Sequence, residues 1–195
     1  MRSSLTLVLT VAPLLWSLQS AAQRPSSAQD LSSHSQSAAA AAAAADAVGV
    51  IRFQFRFCAI RARADLASGN LQAQLDAMSK STSPTPFSWE QTDKCVLDAD
   101  DKITAAQNDI KRQLPKNANL RKLIDELAGL AKLNLLVIKP NAEETKLGYQ
   151  RRIEDFRIAL KTQGSQIMLI ACNNNIRCVS EHSASMNSLE QEGLL

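Results

Sequence analysis

Apolar residues recur every three or four positions along three stretches of the chain, which is the pattern of amphipathic helices. The stretches are 102–114, 118–132 and 142–163. Pro115 ends the first, Asn141 with Glu144 resembles a capping box ahead of the third, and Gly164 ends it. Because each apolar face needs a partner, the sequence predicts a mainly α fold, an elongated antiparallel helical hairpin or bundle.

Residues 48–66 carry a second apolar pattern, in which four large apolar residues alternate with polar ones as in a strand. Wrapped on a helix, these residues form two opposed stripes, one with Ile51, Phe55, Cys58 and Ala62 and the other with Phe53, Phe57, Ile60 and Ala64. The alanine tract 38–45 and residues 62–67 both favour helix. We therefore predict a helix with two apolar faces at the centre of a bundle.

The two opposed stripes also bear on self-association, because one neighbouring helix cannot cover both. The sequence predicts a homodimer whose interface includes Phe53 or Phe55. The alternative is a monomer in which later helices of the same chain flank residues 48–66 on both sides.

Two short apolar runs, 135–138 and 167–170, have no diagnostic period and are either buried strands or continued helices. They leave an α/β fold with a small parallel sheet as the alternative. The segment Ser68-Gly69-Asn70 and the proline-containing stretch 81–88 are expected to interrupt helical structure.

The first 22 residues have the pattern of a secretory signal peptide. Arg2 precedes an apolar run too short to span a bilayer, and Ser20-Ala21-Ala22 supplies the small residues that signal peptidase needs. Behind it we predict a disordered Ser/Ala-rich leader over 23–46, a single helical domain over 47–182 and a flexible tail over 183–195. The alanine tract in the leader is expected to become helical only if the segment behind it is helical.

Composition and charge reduce the number of function classes that the sequence supports. After removal of the signal, 21 basic and 19 acidic residues remain, a formal charge of +2, and aromatic residues make up only 4% of the chain. A surface with no cluster of basic residues and few aromatic residues for base stacking does not indicate nucleic-acid binding. No arrangement of a nucleophile with a well-placed histidine is evident, so we expect a non-catalytic protein without a cofactor or a metal. The end of the chain is too polar to encode a membrane anchor.

The four cysteines, Cys58, Cys95, Cys172 and Cys178, are the candidate site residues. In an exported chain they predict two disulfides, with three pairings open. A local bridge between Cys172 and Cys178 would close a turn-prone run of three asparagines and leave Cys58 to pair with Cys95. The alternatives are a zinc site that uses Cys172, Cys178 and His182, and a reactive thiolate at Cys172.

An acidic cluster, Asp98, Asp100 and Asp101, precedes the helical stretch that begins near Ile103. Negative charge is favourable at a helix N-terminus because of the helix dipole. We expect the cluster to mark the start of that helix rather than a calcium-binding loop.

Residues 44–47, 55–60 and 67–70 resemble the start of a trypanosome variant surface glycoprotein N-terminal domain. Residues 79–84 ahead of Trp89 are similar to the serine-rich stretch and tryptophan that follow there, and Gly164-Ser165 with Cys172 and Cys178 is similar to its late glycine-serine and cysteine pattern. The resemblance implies a long antiparallel helical hairpin, dimerisation and a coat role in immune evasion. Together with the signal-peptide pattern of residues 1–22, it implies a protein of the secretory pathway, at the cell surface or outside the cell.

A second resemblance covers residues 94–178. Residues 132–140, a helix and then 164–174 resemble the end of a DsrE-like sulfur-relay domain. That resemblance implies parallel strands at 133–138 and 166–171, a persulfide carried on Cys172, and a bacterial periplasmic location.

Overall fold

The fold is an all-helical bundle. The computed structural model describes residues 27–79 and 87–192, and these hold five α-helices and no strand. The helices are α1 (Ser27–Met78), α2 (Glu90–Gln113), α3 (Ala118–Leu136), α4 (Lys146–Ala171) and α5 (Ile176–Glu192). The predicted mainly α fold is confirmed. The signal peptide predicted for residues 1–22 lies outside the described residues.

The alternative with a parallel sheet is wrong, because neither short apolar run forms a strand; the first ends α3 and continues into the α3–α4 connection at Val137 and Ile138, and the second lies inside α4. Leu135 and Leu136 form the end of α3, and residues 167–170 belong to α4. Leu135 and Ile167 are buried while Leu136 and Leu169 are exposed. One-sided burial of this kind is what a helix on a bundle surface produces, whereas a central parallel strand is buried on both faces.

The central element is α1, which packs against all four other helices. Helix α2 runs antiparallel to it, since Thr92 contacts Asp65 while Ile110 lies across from Ala47. Helix α3 turns back along α2, and α4 again runs antiparallel to α1, with Phe156 against Phe55. The helix predicted at 48–66, central in a bundle, is confirmed.

The alanine tract is part of the core. Ala41, Ala43, Ala44 and Ala45 are buried, so the leader predicted to be disordered over 23–46 is helical from Ser27 onward. Eight alanines are too few to nucleate a helix alone, but burial against neighbouring helices supplies the missing stabilisation. From Ser37 to Met78, α1 is long and apolar enough to cross a membrane, yet 56% of its most apolar window is buried in the bundle.

Helix α2 begins earlier than the sequence pattern suggests, and α1 caps it. Its N-cap residue, Trp89, makes no side-chain cap hydrogen bond. Instead the buried carboxylate of Asp65 accepts hydrogen bonds from the Thr92 backbone N–H (2.9 Å) and hydroxyl (2.7 Å). A carboxylate from another helix thus satisfies one of the donors that a helix start leaves open.

The acidic cluster Asp98, Asp100 and Asp101 therefore lies inside α2, and its assignment to a helix N-terminus is wrong. Asp100 forms an ion pair of 3.0 Å with Lys132 on α3. The cluster forms part of the solvent-facing side of α2, because all three carboxylate residues are exposed while Ala99 and Ile103 are buried.

Two glycines expected to end helices lie inside helices instead, where they let a neighbouring side chain come close to the backbone. A Cβ on Gly164 would lie 2.7 Å from Val48 on α1, so α4 continues past Gly164 at the point where it touches the central helix. A Cβ on Gly69 would collide with the ring of Phe87, and α1 runs through Ser68-Gly69-Asn70 to Met78. Neither glycine has a positive φ. Glycine suits both positions because it has no side chain to collide with the neighbouring residue.

The tail predicted to be flexible over 183–195 is helical up to Glu192, because it belongs to α5. This helix packs mainly on α1, and Met186 is buried there. Sequence reasoning missed α5 because few large apolar residues mark its face.

Candidate functional site

The two disulfides are the first candidate feature. Cys58 on α1 bonds to Cys95 on α2, with an S–S distance of 2.03 Å and both residues buried. Cys172 bonds to Cys178 across the turn between α4 and α5. The pairing with a local bridge is thus the one the structure has. All four cysteines lie in the described part of the chain and none is free.

The turn closed by Cys172 and Cys178 has the backbone that its asparagines favour. Asn173 and Asn174 have positive φ angles, 49° and 59°, a region that asparagine tolerates better than most residues. The Asn175 side chain accepts hydrogen bonds from the backbone N–H groups of Arg177 and Cys178, which starts α5.

The alternatives at Cys172 do not fit this geometry. A thiolate or persulfide carrier needs a free sulfur, and the Cys172 sulfur is bonded to Cys178. The zinc alternative fails for the same reason. The described residues also hold no group of three His, Cys, Asp or Glu side chains placed to bind a metal ion.

The two stripes of α1 have different environments. Ile51, Phe55 and Cys58 are buried by the later helices. On the opposite side, Phe53 and Phe57 are half-buried and stack at 5.8 Å, and Ile60 is exposed. The first stripe is covered by the chain itself, so Phe55 cannot reach a second copy.

A cavity of about 480 Å³ lies between α1 and the start of α4, and we call it the α1–α4 cavity. Its wall is part apolar, part polar and part charged. The lining residues are Arg63, Leu66, Ala67, Asn70, Pro140, Asn141, Glu144, Lys146, Tyr149 and Gln150. The Asn141–Glu144 pair is the one feature of this region that the sequence pattern indicated.

Asn141 and Glu144 form the predicted hydrogen bonds, but these bonds do not start α4. The Asn141 backbone N–H donates to the Glu144 carboxylate (3.2 Å) and the Glu144 N–H donates to the Asn141 carbonyl (3.0 Å). Helix α4 begins one turn later, where the Thr145 hydroxyl accepts from the Gly148 N–H (3.1 Å). The predicted capping box therefore closes a turn in the α3–α4 connection.

Arg152, on α4, holds the α3–α4 connection in place through hydrogen bonds. Its guanidinium donates to both oxygens of Glu144, at 2.8 and 2.7 Å, and to the carbonyls of Val137 and Lys139. Bidentate pairing of this kind is strong and directional. The same guanidinium lies over the rings of Tyr149 and Phe156. One side chain thus positions residues 137–144, which form one wall of the α1–α4 cavity.

Tyr149 is the buried polar group of the α1–α4 cavity. The residue is 1% exposed, and its hydroxyl has no hydrogen-bond partner among the described residues. Burial raises the pKa of the phenol, and the nearby guanidinium groups of Arg63 and Arg152 only partly offset this effect. The hydroxyl is therefore protonated at neutral pH and can donate a hydrogen bond.

The Glu144–Arg152 pair predicts a pH dependence. The hydrogen bond from Arg152 lowers the pKa of Glu144. Because the folded-state pKa lies below that of an unfolded glutamate, about 4.3, the stabilisation is present above that value and is lost as pH falls through the folded-state pKa. Between about pH 6 and pH 3, the melting temperature should fall more in the unmodified protein than in Glu144→Gln. Thermal melts by circular dichroism measure this.

The matched control is Glu143→Gln, which neutralises the exposed neighbouring carboxylate. Its melting temperature should follow that of the unmodified protein at every pH. Parallel curves for the unmodified protein and Glu144→Gln would contradict the role assigned to the pair.

The comparisons with known proteins return no relative. No protein-family model, no curated protein and no solved structure matches the chain.

Proposed function

We propose that the chain is an exported, non-catalytic surface or secreted protein, of the variant surface glycoprotein kind, whose helical bundle serves as a coat component in immune evasion. The observation that carries the proposal is the pairing of all four cysteines into two disulfides. Disulfides form and persist in oxidising compartments, where an exported chain folds. The pattern of residues 1–22 points to the same compartment.

The architecture supports the proposal. The resemblance implies a long antiparallel helical hairpin, and α1, a helix of 52 residues, lies antiparallel to α2 with a disulfide between them. A bundle cross-linked in this way resists local opening, which suits a protein exposed outside the cell.

Secretion tests the proposal directly. The full chain with a C-terminal tag, expressed in insect cells, should appear in the medium with Gln23 as its first residue and with all four cysteines unreactive toward thiol reagents before reduction. A Leu7→Arg/Leu9→Arg variant, which disrupts the apolar run of the signal, should stay inside the cells. Antibodies against the folded protein should label intact cells of its source.

Two results would contradict the proposal. Retention of the unmodified chain in the cytosol would refute export. A single reactive thiol at Cys172 in the secreted protein would favour a sulfur carrier over a structural protein.

The partner we propose is a second copy of the chain, and the observation behind it is the uncovered stripe on α1. Phe53, Phe57 and Ile60 remain half-buried or exposed on the central helix, and Phe55 is excluded from an interface by its burial. The mature chain should therefore have the mass of a dimer in light scattering, and Phe53→Asp should shift it to a monomer.

A Leu133→Asp variant is the matched control for self-association, because it places the same charge on an exposed apolar position of α3. It should remain a dimer, and circular dichroism should show that both variants fold. A monomeric mass for the unmodified chain, or a dimer unaffected by Phe53→Asp, would exclude this interface.

A further inference from the structure

The α1–α4 cavity has the volume and the mixed apolar and charged lining that are typical of a ligand-binding site. Its volume, about 480 Å³, falls within the range of small-molecule sites, about 300–1,000 Å³. Leu66, Ala67 and Pro140 supply an apolar wall, and the ring of Tyr149 adds to it. Arg63 and Lys146 place two positive charges on the same lining.

We propose that the α1–α4 cavity binds a small amphipathic carboxylate, a molecule with one carboxylate and a short apolar chain. The carboxylate lies between Arg63, Lys146 and the Tyr149 hydroxyl. The apolar chain lies along Leu66 and Pro140. This inference does not depend on export or on a coat role.

The negative charge of the proposed ligand follows from which charged residues around the α1–α4 cavity already form ion pairs. Glu144 is the acidic residue of the lining, and Arg152 holds both of its oxygens. Within the described part of the chain, no carboxylate forms an ion pair with Arg63 or Lys146, and Glu154, which attracts Arg63 from a longer distance, is itself paired with Arg157. The unneutralised charge of the lining is therefore positive. The N-terminus of α4 adds its positive dipole end beside Lys146.

The Tyr149 hydroxyl is the second, independent observation. A buried hydroxyl without a partner is unfavourable, and native structures contain few of them. Tyr149 lines the α1–α4 cavity and its hydroxyl has no partner among the described residues. A ligand carboxylate would accept its hydrogen bond. Phenylalanine would fill the same volume without the unsatisfied group, so packing alone does not require the hydroxyl.

Calorimetric titration of the purified chain with both disulfides formed tests the proposal with three probes. Octanoate should bind. Acetate has the headgroup without the chain, and octylammonium has the chain with the opposite charge. Each should bind at least about tenfold more weakly, because acetate loses the burial of the apolar chain and octylammonium loses the charge-assisted hydrogen bonds. In nuclear magnetic resonance spectra, octanoate should shift the amide signals of residues 146–149.

Variants separate binding from folding. Tyr149→Phe should weaken octanoate binding about tenfold while its melting temperature stays equal or rises, because the lost hydroxyl had no partner. Arg63→Gln and Lys146→Gln should each weaken binding, whereas the matched controls Arg61→Gln on α1 and Lys161→Gln on α4 should not, since neither residue lines the α1–α4 cavity.

Three outcomes would overturn the proposal. The first is no binding of octanoate to the folded chain at millimolar concentration. The second is binding to Tyr149→Phe and Arg63→Gln as tight as to the unmodified protein, and the third is octanoate binding no tighter than octylammonium binding. The secretion and thiol measurements do not depend on these titrations, so failure here leaves the proposed function standing.

Discussion

Replacing Cys58 and Cys95 by alanine should lower the free energy of unfolding by about 4 kcal/mol. The bond closes a loop with a sequence separation of 37 residues, and the loss of that constraint gives the unfolded chain conformational entropy that the native chain lacks. Both cysteines are buried between α1 and α2, so the substitution also leaves space in the core.

The matched control is the double substitution of Cys172 and Cys178, whose bond has a sequence separation of only 6 residues. It should cost about 2 kcal/mol, because the entropy removed from the unfolded chain grows with the logarithm of the loop length. Urea unfolding followed by circular dichroism measures both values. Equal costs, or a larger cost for the short loop, would contradict this account.

Phe55→Ala should cost about 3–5 kcal/mol of the free energy of unfolding, the usual range for a phenylalanine removed from a core. Phe55 is 1% exposed and its ring meets that of Phe156 on α4 edge to face, with centroids 6.3 Å apart. The substitution leaves a hole between the central helix and α4 that surrounding side chains only partly fill. Urea unfolding at a protein concentration too low for self-association measures the cost.

Phe53→Ala is the internal comparison, since it removes the same side chain from the opposite side of α1, where burial is partial. Its cost should stay below about 2 kcal/mol, because less apolar area returns to water. Similar costs for the two substitutions would mean that the two stripes of α1 are covered equally well.

The helices were predictable where large apolar residues repeat. The stretches 118–132 and 142–163 carry leucine, isoleucine, tyrosine and phenylalanine at helical spacing, and they lie within or largely within α3 and α4. The first three turns of α2 were missed because their buried positions are Thr92, Cys95 and Ala99, which are small or polar. Helix periodicity is weak where small side chains form the inner face.

The α1–α4 cavity could not be predicted, because its residues come from three separate segments. Arg63 lies on α1, Pro140 in the connection and Tyr149 on α4. The capping of α2 by Asp65 is a long-range contact of the same kind, across 27 positions. Local patterns carry secondary structure, whereas sites of this type depend on which helices become neighbours. The disulfides were the exception, since four cysteines leave only three possible pairings into two bonds.

The central position of α1 has a consequence for biosynthesis. Helix α1 is made first, but its apolar faces are covered by α2, α3, α4 and α5, which follow it along the chain. A nascent chain that ends after α3 exposes the Phe55 face, which Phe156 covers in the finished protein. Partly synthesised chains with uncovered apolar surface aggregate readily. We therefore expect folding to be completed late in synthesis and to depend on protection of the growing chain until α4 has been made.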